Sequence, residues 1–161
     1  MYEDRVTRAV ELFKQGYNCS QSVVAAFADL YGFTQKQAFH MAASFGGGIG
    51  RMRETCGAAC GLFMLAGLQH CATVGSDQQS KAENYALVQE LAARLKKENG
   101  SICCGVLLGL KKNDEVQIDK NSISSVPAER TAEYYKKRPC PRLIEQAARI
   151  WAEYLDKNSI K

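Results

Sequence analysis

The sequence predicts an all-α fold, in a single domain over residues 1–161 that holds about six to seven helices. Apolar residues recur at three- and four-residue spacing in almost every long segment, which is typical of helices with one buried face. The alternation of apolar and polar residues that marks a strand is nearly absent. A length of 161 residues with 46% hydrophobic residues allows one domain with a sizeable core.

The first three helices are predicted from their apolar faces and from the residues that begin or end them. These faces are Val6, Ala9, Val10 and Phe13; Cys19, Val23, Val24, Phe27 and Leu30; and Ala38, Phe39, Ala42 and Ala43. We expect Gly32 to end the second helix, because glycine adopts the left-handed conformation common after a helix. Thr34 is expected to begin the third helix, and the glycines at 46 to 48 to stop it.

The second half of the chain contains three or four further helices. A fourth helix is expected over residues 55–71, and a short sixth within residues 101–110. The apolar face of the fifth helix is Tyr85, Val88, Leu91, Ala92 and Leu95, and Gly100 is expected to end that helix. The apolar face of the last helix is Leu143, Ala147, Trp151 and Leu155. The polar stretch over about residues 111–126 is predicted to be a loop, and its length indicates that it is either mobile or functional.

Charge and hydropathy exclude several classes of function. A net charge of +4 is too small to indicate nucleic-acid binding, and the one tight basic cluster, YYKKRP at 134–139, is typical of a solvated helix end. The N-terminus has no signal-peptide pattern. The longest apolar run, residues 61–68, is far shorter than the roughly 20 residues that span a bilayer. We therefore expect a cytoplasmic protein with no membrane insertion.

Seven cysteines are the main anomaly, and without a secretion signal they favour metal binding or redox chemistry over a structural disulfide framework. Four cysteine sites fall in the first turns of predicted helices. They are Cys19 after a capping box of Asn18 and Gln21, Cys56 after Thr55, Cys103 and Cys104 after Ser101, and Cys140 between Pro139 and Pro141. A helix start carries about half a positive charge and favours thiolate over thiol. If the four starts converge, they form a pocket for several thiolates or for an anionic cluster.

The glycines and arginines before Cys56 are predicted to serve the same pocket. Glycine permits a backbone to approach a ligand closely, and arginine adds positive potential beside a thiolate. We therefore assign Gly48, Gly50, Arg51 and Arg53 to cofactor binding. A sharp turn between packed helices explains the glycines at 46 and 47 equally well. The segment is neither a phosphate loop nor a dinucleotide fingerprint, because no strand precedes it and the Gly-Lys-Ser/Thr ending is absent.

Four motifs carry a resemblance to a known family. They are NCSQSV at 18–23, CGAACG at 56–61, GSICCGVLLG at 100–109 and PCPRLIEQAA at 139–148. In this order they resemble the C_GCAxxG_C_C family, whose label ascribes redox activity to its members, over about residues 5–155. The resemblance places the four family cysteines at Cys19, Cys56, Cys104 and Cys140, and it leaves substrate, partner and cofactor open.

The chain departs from the family pattern by adding three cysteines. Cys60 is either a small core residue or a resolving thiol or fifth ligand on the same helix face as Cys56. Cys71 is predicted to be structural, and we expect no vicinal disulfide between Cys103 and Cys104. The two histidines are interpreted as solvated or core residues, with His70, beside Cys71, the better candidate for a ligand.

Three mechanisms use the four family cysteines and remain open. In the first, all four hold an iron–sulfur cluster and the protein carries electrons. In the second, no metal is bound, and pairs of cysteines exchange disulfides with a partner protein or small molecule as an oxidoreductase. In the third, the four bind a structural zinc, which the absence of a C-x-x-C pair disfavours. The cofactor is thus an iron–sulfur cluster, zinc or none.

A different class of function keeps the cysteines as packing residues only. In this interpretation the protein is a ligand- or protein-binding helical bundle. Gly57 and Gly61, four residues apart, would let another helix approach closely, including one of a second copy in a homodimer. Ordinary thiol reactivity and no bound metal are then expected.

Overall fold

The computed structural model describes residues 1–71, 73–113 and 123–158, and these residues form eight α-helices and one isolated β-bridge. The helices are α1 (Glu3–Lys14), α2 (Cys19–Ala25), α3 (Gln35–Ala42), α4 (Gly57–Gln69), α5 (Gln78–Asn99), α6 (Cys104–Leu107), α7 (Ala132–Lys137) and α8 (Cys140–Asn158). Short 3₁₀ turns, Ala28–Tyr31 and Ala43–Phe45, follow α2 and α3. The predicted all-α, single-domain class is confirmed.

Local capping explains where several helices begin. Asn18 starts α2 with a complete capping box, in which its side chain accepts from the N–H of Gln21. Thr34 starts α3 in the same way with Gln37. Ser101, predicted to cap α6, lies two residues before the cap position, which Cys103 occupies. Its hydroxyl accepts from the N–H of Cys103, and the helix begins at Cys104.

The eight α-helices of the described residues exceed the predicted six to seven because α7 is additional, and the second predicted helix is shorter than expected. The second predicted helix ends at Ala25, and a 3₁₀ turn continues the chain to a left-handed Gly32. The additional helix is α7, which Thr131 caps by accepting from the N–H of Tyr134. The predicted loop at 111–126 is non-helical at 111–113 and 123–126, and its central part, 114–122, lies outside the described residues.

The core surrounds α4, which is apolar on every side, as expected of a buried helix. Helices α1, α2, α5 and α8 contact it or one another. The largest fully buried side chains are Trp151, Phe13, Phe27, Leu62, Leu65, Leu91 and Ile144. Within the described ranges, no helix combines the length and apolar character needed to cross a membrane.

Two glycines of α4 let α2 pack directly on its backbone. A Cβ at Gly61 would lie 2.9 Å from the Cβ of Val23, and one at Gly57 would lie 3.1 Å from the Cβ of Cys19. The close-approach face predicted for Gly57 and Gly61 is therefore covered by α2 of the same chain. This packing also fixes Cys19, at the start of α2, beside the start of α4.

Candidate functional site

The four family cysteines line one pocket of about 310 Å³. Cys19, Cys104 and Cys140 are the first residues of α2, α6 and α8, and Cys56 immediately precedes α4. Cys56, Cys104 and Cys140 are buried, whereas Cys19 is half-buried. The expected convergence of four helix starts is thus present in the structure.

Backbone pairing holds two of the four cysteines in register. An isolated antiparallel bridge joins Thr55 to Cys103. On either side of it, the Cys56 N–H donates to the Ile102 carbonyl at 2.7 Å, and the Cys104 N–H donates to the Glu54 carbonyl at 2.6 Å. The starts of α4 and α6 therefore meet at a fixed distance, although 47 residues of chain separate them.

The glycine-rich segment forms a wall of the pocket in an uncommon backbone conformation. Residues 47 to 51 all have positive φ, between 59° and 73°, and two of them are Ile49 and Arg51 rather than glycine. A β-branched residue in this region is strained and persists only where surrounding contacts enforce it. A Cβ at Gly48 would lie 2.5 Å from the Cβ of Cys104, so both φ and space require glycine there.

All four residues assigned to cofactor binding lie on the pocket wall: Gly48, Gly50, Arg51 and Arg53. Arg51 donates from Nε to the Ser124 carbonyl at 2.8 Å. Arg53 is only 7% exposed, and its Nη1 donates to Cys104 Sγ at 3.8 Å. Arg53 thus places a positive charge directly beside the Cys104 sulfur, and Arg51 adds a second one to the same pocket wall.

Cys140 and Cys19 form the most polarised pair in the pocket. A hydrogen bond from the Cys19 thiol is the largest contribution that lowers the pKa of Cys140 from its ordinary value of 9.0. The positive charges of Arg138 and Arg130 also lower it while burial opposes them, and the resulting pKa is about 7. The pKa of Cys19 is raised well above its ordinary value by the same hydrogen bond and by burial. The pair therefore loses its first proton near neutral pH, and the low pKa favours Cys140 as the sulfur that carries the charge.

The other two pocket cysteines are neutral thiols at neutral pH. Burial raises the pKa of Cys56 to about 12 against opposing backbone hydrogen bonds. Burial also raises the pKa of Cys104, and the hydrogen bond and charge of Arg53 only partly offset it. The expectation that every helix start favours the thiolate is thus wrong for Cys19, Cys56 and Cys104, since desolvation or hydrogen-bond donation outweighs the helix charge.

The three additional cysteines lie outside the pocket wall. Cys60 is buried, its thiol donates to the Thr55 carbonyl at 3.7 Å, and burial raises its pKa to about 11. Cys103 is buried and donates to the Arg53 carbonyl at 3.4 Å, whereas Cys71 is exposed. All seven cysteines are free, including the neighbours Cys103 and Cys104. The arrangement fits Cys60 as a core residue.

Three pocket residues were missed by the sequence analysis. Arg130, Tyr134 and Arg138 line the cavity, although the basic cluster at 134–139 was interpreted as a solvated helix end. Lysines 136 and 137 are exposed as expected, but Arg138 turns inward, with its guanidinium 5.2 Å from the centre of the Tyr134 ring. The sequence signal for Arg138 was its position two residues before the motif cysteine Cys140.

Arg130 is held by the backbone at the end of α1. Its Nη1 donates to the Phe13 carbonyl at 2.9 Å and its Nη2 to the Tyr17 carbonyl at 3.2 Å. The guanidinium also lies 4.1 Å from the centre of the Phe13 ring. These contacts fix a positive charge at the edge of the pocket.

Across residues 1–71, 73–113 and 123–158, no three His, Cys, Asp or Glu side chains are placed to hold one metal ion together. His70 pairs with the Tyr154 hydroxyl at 2.6 Å, His40 is exposed, and neither lines the pocket. The prediction of a cluster or zinc therefore stays a prediction.

Comparison with known proteins identifies a family. The model of a family described as "Putative redox-active protein (C_GCAxxG_C_C)" matches residues 17–154, a range that contains all four pocket cysteines. Neither the curated proteins nor the solved structures yielded a match to the chain.

Proposed function

The chain belongs to the C_GCAxxG_C_C family, and we propose that it performs thiol–disulfide exchange with Cys140 as the attacking thiolate and Cys19 as the resolving thiol. One observation carries the proposal: Cys19 and Cys140 line the same arginine-lined pocket, where Cys19 and two arginines lower the pKa of Cys140. Redox activity is the family's description, and the division of roles between the two cysteines is our inference.

Cys140 suits the role of attacking group because the thiolate, and not the thiol, is the nucleophile. A pKa of about 7 is close to the optimum for exchange near neutral pH, since a lower value would weaken the intrinsic nucleophilicity of the sulfur. Cys56, with a pKa of about 12, holds almost no thiolate under the same conditions.

Cys19 suits the resolving role because its sulfur already lies within hydrogen-bond reach of Cys140. In the first step the Cys140 thiolate attacks a substrate disulfide, forms a mixed disulfide and releases one substrate thiolate. In the second step the Cys19 sulfur attacks Cys140 and releases the other half, and the proton of Cys19 goes to a departing thiolate. The protein loses two electrons to the substrate and gains a Cys19–Cys140 disulfide.

A second candidate is an iron–sulfur cluster, favoured by the meeting of four cysteines on one cavity wall. Four cysteine ligands are the usual number, and a cluster spans more space between its sulfur ligands than a single ion does. Cys19, Cys56, Cys104 and Cys140 would hold it and release their thiol protons on binding. Bound there, the cluster would supply one-electron transfer.

Anaerobic purification separates the two candidates. We expect protein without stoichiometric iron and sulfide that loses two thiols on oxidation and regains them with dithiothreitol. Cys19→Ser and Cys140→Ser should abolish this change, whereas Cys71→Ser, which alters an exposed cysteine outside the pocket, should leave it intact. Stoichiometric iron and sulfide, lost in each of the four single pocket variants, would overturn the exchange mechanism in favour of the cluster. Zinc alone would support the third mechanism.

A further inference from the structure

The cysteine pocket carries positive charge that the rest of the described protein does not neutralise. Four arginines line it, at positions 51, 53, 130 and 138, and no aspartate or glutamate appears among the described lining residues. The ion pairs formed within the described residues use other arginines, namely Arg5, Arg94 and Arg149. The one negative charge among the described lining residues is the thiolate of Cys140.

Three of these arginines form one group. Burial lowers the pKa of Arg51, and the neighbouring charges of Arg53 and Arg138 lower it further. Cations that repel one another in a half-buried space are costly unless an anion joins them. Arg130 differs, because the Phe13 and Tyr17 carbonyls already occupy two of its nitrogens.

The group retains donors that can reach a ligand. Arg51 uses its Nε on the Ser124 carbonyl, which leaves its two terminal nitrogens without a hydrogen-bond partner among the described residues. The guanidinium of Arg138 lies against the Tyr134 ring and donates no hydrogen bond to any residue that the structure describes. Arginine presents paired N–H groups that match the two oxygens of a carboxylate.

The size and burial of the site favour a small molecule over a protein partner. A cavity of about 310 Å³ lies in the range of small-ligand pockets. Cys140 is only 9% exposed, so the disulfide of a folded protein would have to enter the pocket to reach its sulfur. A short disulfide with flexible arms can enter without rearranging the helices.

We propose that the substrate of this pocket is a low-molecular-weight disulfide whose arms carry carboxylates, bound through Arg51, Arg53 and Arg138 with its sulfur atoms facing Cys140. The inference rests on the exchange function proposed above and names its substrate class. The chemistry is the two-step exchange already described, with the substrate disulfide reduced to two thiols and the Cys19–Cys140 pair oxidised.

Three disulfides of similar size and different charge test the inference. They are 3,3′-dithiodipropionate, which is anionic, 2-hydroxyethyl disulfide, which is neutral, and cystamine, which is cationic. For each reagent the second-order rate of thiol loss is divided by its rate with a free model thiol, because the three leaving thiols differ in pKa. This normalised rate should be about tenfold or more higher for the anionic than for the cationic reagent at low salt, since one tenfold step needs only about 1.4 kcal/mol. High salt should reduce the ratio.

Charge variants locate the effect. Arg51→Gln and Arg138→Gln should each reduce the anionic-to-cationic rate ratio severalfold, and Lys136→Gln, an exposed charge two residues from Arg138, should leave it unchanged. The ratio is the informative quantity because any change in the pKa of Cys140 affects the three reagents alike. Equal normalised rates for the three disulfides, or equal effects of all three variants, would overturn the inference.

A binding assay without exchange separates this inference from the proposed function. Adipate, a dicarboxylate that cannot react, should slow the alkylation of Cys140 by neutral iodoacetamide, and the protection should weaken in Arg51→Gln. Protection without any reversible thiol oxidation would overturn the exchange function but support the anion site. Exchange that proceeds without protection by adipate and without charge preference would overturn the anion site alone.

Discussion

Replacing Cys19 by alanine should raise the pKa of Cys140 and slow its reaction at acidic pH. The hydrogen bond from Cys19 is the largest cause of the low pKa of Cys140, ahead of the charges of Arg138 and Arg130. Alanine removes this donor and leaves both arginines in place. Because Cys19 is small and lies at the edge of the core, the variant should keep its fold.

The size of the effect follows from the two pKa values. Cys140 titrates at about 7 and the ordinary value is 9.0, so the hydrogen bond and the arginines together lower the pKa by more than this net difference, because burial opposes them. We expect the loss of the largest contribution to raise the pKa by about one unit or more. The thiolate fraction of Cys140 at pH 6 then falls about tenfold for each unit by which its pKa rises. The rate falls only about threefold per unit, because the intrinsic nucleophilicity of a thiolate rises with its pKa.

The assay is alkylation of Cys140 by iodoacetamide between pH 5 and 10, followed by peptide mass spectrometry. The wild-type rate should rise with a midpoint near pH 7, and the Cys19→Ala midpoint should lie higher. Cys19→Ser keeps a hydroxyl donor and should fall between the two. Cys60→Ala, which removes a buried thiol outside the pocket, is the matched control and should not shift the midpoint. An unshifted midpoint in folded Cys19→Ala would refute the assignment of the hydrogen bond.

The glycines provide two further predictions, each with a matched control. Gly61→Ala should lower the free energy of unfolding measured in urea by about 1–3 kcal/mol, because the added Cβ would overlap α2. Its control is Gly67→Ala on the same helix, where the added Cβ meets nothing within 4 Å. That variant should be neutral or stabilising by about 0.5–1 kcal/mol. Gly48→Ala should lower the melting temperature more than Gly109→Ala, since both glycines have φ near 70° but only Gly48 faces the Cβ of Cys104. Similar effects within either pair would contradict the packing described here.

Local features of the sequence predict most of the helices and the cysteines at their starts. The capping boxes at Asn18 and Thr34 act over three residues, so they can be recognised without knowing the fold. The left-handed glycines that end helices, Gly32 and Gly100, are equally local. The four motifs supplied the choice of Cys104 over Cys103, which no local argument could make.

The chemistry of the individual thiols depends on packing that no short segment specifies. A helix start alone would favour thiolate at all four pocket cysteines, yet burial keeps Cys56 and Cys104 neutral. The pairing of Cys19 with Cys140 joins the first and last motifs of the chain. Arg130 reaches the pocket because it binds the Phe13 carbonyl, 117 residues away. Such contacts exist only once the helices have assembled.

The most direct test of the account is the identity of the disulfide that forms when the reduced protein is mildly oxidised. The protein is treated anaerobically with one equivalent of oxidant, alkylated, digested without reductant and analysed by mass spectrometry. We predict a linkage between the Cys19 and Cys140 peptides, with Cys56 and Cys104 recovered as alkylated thiols. A dominant linkage that excludes Cys140, or seven thiols that all remain free, would contradict the assignment of this pair as the redox centre.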